Sequence, residues 1–279
     1  MFDRIPGAIA RAFLMVVLVI TPALVLPNVS ADATQIVVLV AVFAAALTLF
    51  EYAATYPGLV EFRDAPPFNR IRFLSLFATV FLISVVVAGG PANSTAVQLV
   101  QAIGTLIGHA MDFPYSPVRL VVLMLPESAT AQDVIILRTA AGMAYLISLV
   151  SLAIFLIVLR VANWPNRGQS FNVWVNLPTF DPTTGGDVVE RLERDARFNV
   201  VLGFLLPFVT PAVVQAASGA FGSVSLSNDM TMIWTLSAWA FLPASLFMRG
   251  IAMQRVASMI AAQRRKNLPR DVGSELQPA

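Results

Sequence analysis

The chain has 279 residues, 57% of them hydrophobic and 12% charged, with a formal net charge of +2. So little polar surface cannot cover a domain in water, and one membrane bundle fits the length better than one or two soluble domains. Cysteine is absent, which excludes disulfides, thiolate metal sites and cysteine nucleophiles.

A helix needs about 20 mostly apolar residues to cross roughly 30 Å of hydrocarbon. Six stretches qualify: 7–26, 34–55, 72–90, 134–160, 198–220 and 229–249. Each is too long and continuous for a buried strand. The fold class expected is therefore all-α, a polytopic bundle of six transmembrane helices forming one membrane domain over 1–266. The remainder, 267–279, reads as a disordered tail.

The start has two readings. Residues 1–33 combine a basic beginning, an apolar stretch and an Ala31-Asp32-Ala33 end, as a secretory signal does. The long apolar stretch carrying Arg11 favours an uncleaved anchor. The turn from Pro27 to Ala33 then makes the first two spans a hairpin. Beyond the second span, Pro57-Gly58 ends the helix, and Pro66-Pro67 favours an extended, stiff linker.

An external segment, 91–131, follows the third span. Within 94–111, Val97, Val100, Ile103, Ile107 and Met111 recur at helical spacing, and Asp112-Phe113-Pro114 breaks the helix. Residues 117–125 are apolar but too short to span. This pair is expected to be an interfacial helix on the outer leaflet or a re-entrant loop. The loop 161–197 has alternating Phe171, Val173, Val175 and Leu177, which fit a short strand or an interfacial stretch. Asp187 with Glu190 resembles a capping box, and Glu190 with Arg194 and Glu193 with Arg197 have i,i+4 spacing. The last span is expected to continue as a helix past Arg249 to Arg264-Arg265-Lys266.

Charge fixes the expected orientation. With these spans, sixteen of the eighteen basic residues fall on one side, and only Arg119 and Arg138 on the other. The positive-inside bias places both termini in the cytoplasm. The excess of arginine, with Lys266 the only lysine, reads as a bacterial, GC-rich genome, hence a bacterial inner membrane. The basic residues are dispersed and not interleaved with a stacking platform, so no nucleic-acid partner is expected. The expected partners are the lipid bilayer and other membrane proteins.

Candidate chemistry is sparse. Arg11 and Glu51 lie at similar depth on the hairpin spans and are expected to meet as a structural ion pair. His109 and Asp112, one helical turn apart, and Arg138, which could pair with Asp112 or Asp133, are weak external polar candidates. A metal site normally needs three or four ligands, so no metal and no cofactor are expected. Phosphate-loop, HExxH and GxSxG motifs are all missing. Thr21-Pro22-Ala23 echoes Thr210-Pro211-Ala212, and Thr21, Thr210 and Gln215 are candidate polar lining of kinked spans. Ala140, Ala144 and Ser148, and likewise Ala212, Ala216 and Ala220, recur every four residues, a spacing that lets helices pack closely. The expectation is a non-catalytic inner-membrane protein: an accessory, scaffold or assembly subunit. The alternative is a transporter or channel for a neutral or lipidic molecule, and an external enzyme built on His109 and Asp112 ranks below both.

Overall fold

A computed structural model of the chain describes residues 4–89, 94–126, 128–162, 164–165, 171–181, 183, 185–221 and 228–267, with the backbone alone over 217–221. Among these residues the regular structure is entirely helical: α1 (Ile5–Val25), α2 (Ala31–Ala53), α3 (Phe68–Val87), α4 (Thr95–Met111), α5 (Pro117–Val122), α6 (Ala131–Val161), α7 (Val173–Asn176), α8 (Val188–Phe221) and α9 (Asp229–Asn267). Six of these, α1, α2, α3, α6, α8 and α9, are long and apolar enough to cross a membrane. The protein is a polytopic membrane helical bundle. The expected tail beyond Asn267 lies outside the described residues.

Local chemistry sets the helix starts. Ser30 caps α2, its Oγ accepting the Ala33 N–H at 3.2 Å. Residues 31–33, the cleavage-site look-alike, form the first turn of α2. Thr130 and Asp133 cap α6 reciprocally, which satisfies two of the amides left open at a helix start. Asp187 Oδ1 accepts the N–H groups of Val189 and Glu190 at the start of α8.

The bundle has two packed cores. One gathers Leu18, Ile83, Val118, Leu137, Ala140, Ala144, Ile233 and Leu236 from α1, α3, α5, α6 and α9. The other lies at the arginine-rich face and holds Phe62, Phe68, Phe155, Trp164, Leu177, Leu192 and Met253. Helices α6, α8 and α9 supply its floor. At 1.5 Å per residue, the 39 residues of α9 run about 58 Å, nearly twice the roughly 30 Å hydrocarbon thickness.

The second core corrects an expectation. The 54–67 segment is not an extended linker; it folds into a cap against Trp164 and residues 171–180. Phe62 is fully buried at φ +51°, and its ring lies 4.5 Å from Phe68 and 5.6 Å from Trp164. A bulky residue with positive φ is unusual, and burial of the whole ring offsets the cost. The Phe62 N–H donates to the Asn176 carbonyl at 2.6 Å, and the Asp64 N–H to Asn176 Oδ1 at 3.1 Å. Trp164 Nε1 donates to the Ala65 carbonyl at 3.2 Å. The Pro66-Pro67 and Trp164-Pro165 peptide bonds are cis. The segment around Val173 is one helical turn, not a strand, because Asn172 Oδ1 accepts the Trp174 and Val175 N–H groups and starts a helix.

The α4–α5 hairpin packs on α6. A Cβ on Gly108 would sit 2.9 Å from the Thr139 Cα, and one on Gly142 2.7 Å from the Gly108 Cα. Leu99, Ile103 and Leu106 point outward. The middle of the outward side of α4 is therefore apolar, with Gln98 and His109 exposed at its flank.

Candidate functional site

The weak polar candidates of the sequence converge at the turn between α4 and α5. Asp112 is the residue after α4, and its N–H donates to the His109 carbonyl at 3.3 Å. Tyr115 turns the chain at φ +64°, and Ser116 then caps α5 by accepting the Arg119 N–H at 3.0 Å. This tight reversal holds the Asp112 side chain only 5% exposed, with Oδ1 2.8 Å from Arg119 Nε and Oδ2 3.0 Å from Arg138 Nε. Arg119 Nη2 also donates to the Asp112 carbonyl at 3.3 Å. Both carboxylate contacts are short but poorly aligned as hydrogen bonds, since Asp112 Oδ1 and Arg138 Nε lack a well-directed partner. They act as ion contacts.

His109 Nδ1 lies 3.1 Å from Arg138 Nη1. A guanidinium only donates, so this ring nitrogen is the acceptor in that contact. Asp133, the other acid considered for Arg138, is engaged in the α6 cap instead. One carboxylate thus faces two guanidiniums, one of which also meets the His109 imidazole, and the cluster fastens the hairpin to α6. Among the described residues, no group of three or more His, Asp or Glu side chains comes together as a metal site would require.

The expected Arg11–Glu51 ion pair does not form. Glu51 Oε2 accepts the N–H groups of Gly58, Leu59 and Val60 at 3.0, 2.9 and 3.0 Å. These amides lie a few residues along the chain from Glu51, so reaching them requires little ordering. The cation nearest this turn is Arg63, whose Nη1 donates to the carbonyls of Glu51 and Ala54 at 2.9 and 2.7 Å. Arg11 instead donates to the Gly7 carbonyl at 2.7 Å and lies over the Tyr52 ring, 4.6 Å from its centroid.

The candidate lining residues do not line one path. Thr21 is buried and donates to the Val17 carbonyl of its own helix at 2.6 Å. Thr210 is exposed and donates to the Leu206 carbonyl at 2.7 Å. Gln215 Nε2 reaches the Leu123 carbonyl at 3.3 Å and ties α8 to the end of α5. Helix α1 packs on α2 and α3, whereas α8 packs on α9 and α5.

The two small-residue stripes part company. Ala140, Ala144 and Ser148 are buried, and both alanines belong to the first core. Ala212 and Ala216 are exposed on α8, and the Ala220 side chain lies outside the described residues. On α8 the close approach to α9 is made by Gly203, where a Cβ would stand 2.7 Å from the Pro243 carbonyl oxygen.

One charged site on the arginine-rich face escaped the sequence reading. Arg249 on α9 holds Glu61 with two bonds, Nε to Oε2 at 2.6 Å and Nη2 to Oε1 at 2.8 Å. Thr179 Oγ1 adds a third at 2.6 Å. Arg72 lies nearby, its guanidinium over Phe68 and Phe241 with Nε unpaired. No periodicity links Glu61, Thr179 and Arg249, so no sequence signal marked them. The expected pairs of Glu190 with Arg194 and Glu193 with Arg197 are not among the ion pairs of the described residues, where Arg194 lies 3.6 Å from Asp195. Comparison with protein-family models, curated proteins and solved structures gives no match for this chain.

Proposed function

We propose that this protein is a non-catalytic scaffold or accessory subunit of a membrane complex, with α2 as its helix for receiving a partner. The observation that carries this reading is the one-sided packing of α2. It rests on α1 and buries only Val37, Ala41 and Glu51 of its 23 residues. Ile36, Leu39, Phe43, Ala46 and Phe50 follow a 3-4-3-4 spacing along its outward side. That is the spacing of a helix–helix seam. Lipid tails are as apolar as leucine, so exposure alone does not drive association in a bilayer. Close packing does, and the outward Ala212 and Ala216 of α8 add a second surface that a helix can approach.

The excess of arginine over lysine supports a bacterial inner membrane as the location, and the positive-inside bias supports the arginine-rich face being inward. The polar groups support the same reading. Glu51, Glu61 and Asp112 each join two chain segments, and such joints serve a rigid framework.

The test is photocrosslinking in native membranes. A photo-activatable residue at Leu39 or Phe43 is expected to give a discrete protein adduct, whereas one at Leu156, on the exposed side of α6, gives lipid adducts. Lipid adducts alone from both α2 positions would contradict the scaffold reading.

A further inference from the structure

On the arginine-rich face a groove opens between α6, α8 and α9, enclosing about 650 Å³. Leu156 and Ile157 of α6 and Ile251 of α9 form its apolar wall, and Arg160, Arg255 and Glu193 its polar end. The wall continues the outward surface of a spanning helix, since Ile154, Leu156 and Ile157 are 47%, 42% and 61% exposed. Arg160 stands in the last turn of that helix, where apolar chain gives way to polar surroundings. It has no hydrogen-bond or ion-pair partner among the described residues. Arg255 is fixed through Nε, which donates to the Trp164 carbonyl at 3.0 Å, and this leaves its two Nη groups for another acceptor. Two guanidiniums against one carboxylate leave the polar end positive.

A hydrocarbon wall ending in a net positive pair of arginines has the polarity of one molecule class. We propose that the groove holds an anionic phospholipid. Its acyl chain lies along Leu156, Ile157 and Ile251, and its phosphate lies between Arg160 and Arg255. Guanidiniums suit this role because their forked donors match phosphate oxygens. Glu193 at the same end discriminates against a second negative charge.

Delipidated protein in detergent, titrated with phosphatidylglycerol or phosphatidylcholine and read by native mass spectrometry, tests this. Wild type is expected to retain one phosphatidylglycerol in preference to phosphatidylcholine. Each arginine near an anionic surface is worth about fivefold in binding, so Arg160→Gln loses about that factor and Arg160→Gln/Arg255→Gln roughly 30-fold. Arg160→Gln alone keeps the test valid if loss of the Trp164 contact disturbs the fold. Equal retention of the two lipids, or an unchanged preference in Arg160→Gln, overturns the proposal. Displacement of the lipid by excess inorganic phosphate overturns it as well, because the groove would then bind a free anion.

Discussion

Glu61 and Arg249, 188 residues apart, are joined by two hydrogen bonds of 2.6 and 2.8 Å. The pair fastens the cap to α9, and it is largely withdrawn from solvent, with side chains 11% and 27% exposed. Replacing one partner strands the other. Glu61→Gln is expected to destabilise the protein by about 3 kcal/mol, the order found when one partner of a buried pair is removed. Thermal unfolding in detergent measures this. A double-mutant cycle with Arg249→Gln should then recover part of the loss.

The α4–α6 crossing rests on two glycines facing each other. Gly108→Ala places a methyl group 2.9 to 3.1 Å from the backbone of Arg138 and Thr139. Backbone cannot yield as a flexible side-chain end can, so about 1–3 kcal/mol of destabilisation is expected. Gly185→Ala, with nothing within 4 Å of the new carbon, is the matched control. Hydrogen exchange in α4 should rise in the first variant and stay unchanged in the second.

Glu51 and Arg11 should behave independently. Glu51→Gln weakens three hydrogen bonds from backbone N–H groups to a charged acceptor, at a cost of about 2 kcal/mol. Arg11→Gln loses a contact with the Tyr52 ring, worth about 0.5–1 kcal/mol. The coupling in a double-mutant cycle should be close to zero, whereas a direct ion pair would give a clear coupling.

Acid should loosen the joint between the start of α8 and the end of α9. The Arg264 guanidinium, followed by the Glu190 and Val189 amides, holds the Asp187 carboxyl below its ordinary range. A depressed carboxyl contributes its stability fully above the unfolded value of about 3.9 and loses it as pH falls through the folded value. Asp187→Asn should therefore flatten the acid limb of a plot of Tm against pH. The pair is exposed, so added salt should reduce the wild-type effect.

The spans were legible in the sequence because hydrocarbon thickness imposes a length that composition reveals directly. The start of α8 at Val188 was also legible, from Asp187 with Glu190, as was the continuation of α9 past Arg249. The cap was not. Its segments carry prolines and polar residues that read as linker, and the aromatic rings that make the burial of Phe62 favourable include the distant Trp164 and Phe171. Glu51 pairs elsewhere because donors compete for it locally: the N–H groups of Gly58 to Val60 are closer along the chain than Arg11. The Gly104-x-x-x-Gly108 spacing was present in the sequence and is the contact that seats α4. The alanine stripes are a weaker guide to packing, since one of them, Ala212 with Ala216, points away from the bundle.

The six-pass layout can be tested most directly with cysteine labelling, because the chain has no cysteine of its own. Ser128→Cys, before α6, and Thr183→Cys, on the arginine-rich face, are both exposed. In sealed membranes, a membrane-impermeant maleimide added outside should label the Cys at 128 and reach the Cys at 183 only after lysis. Labelling of both from the same side would contradict the layout.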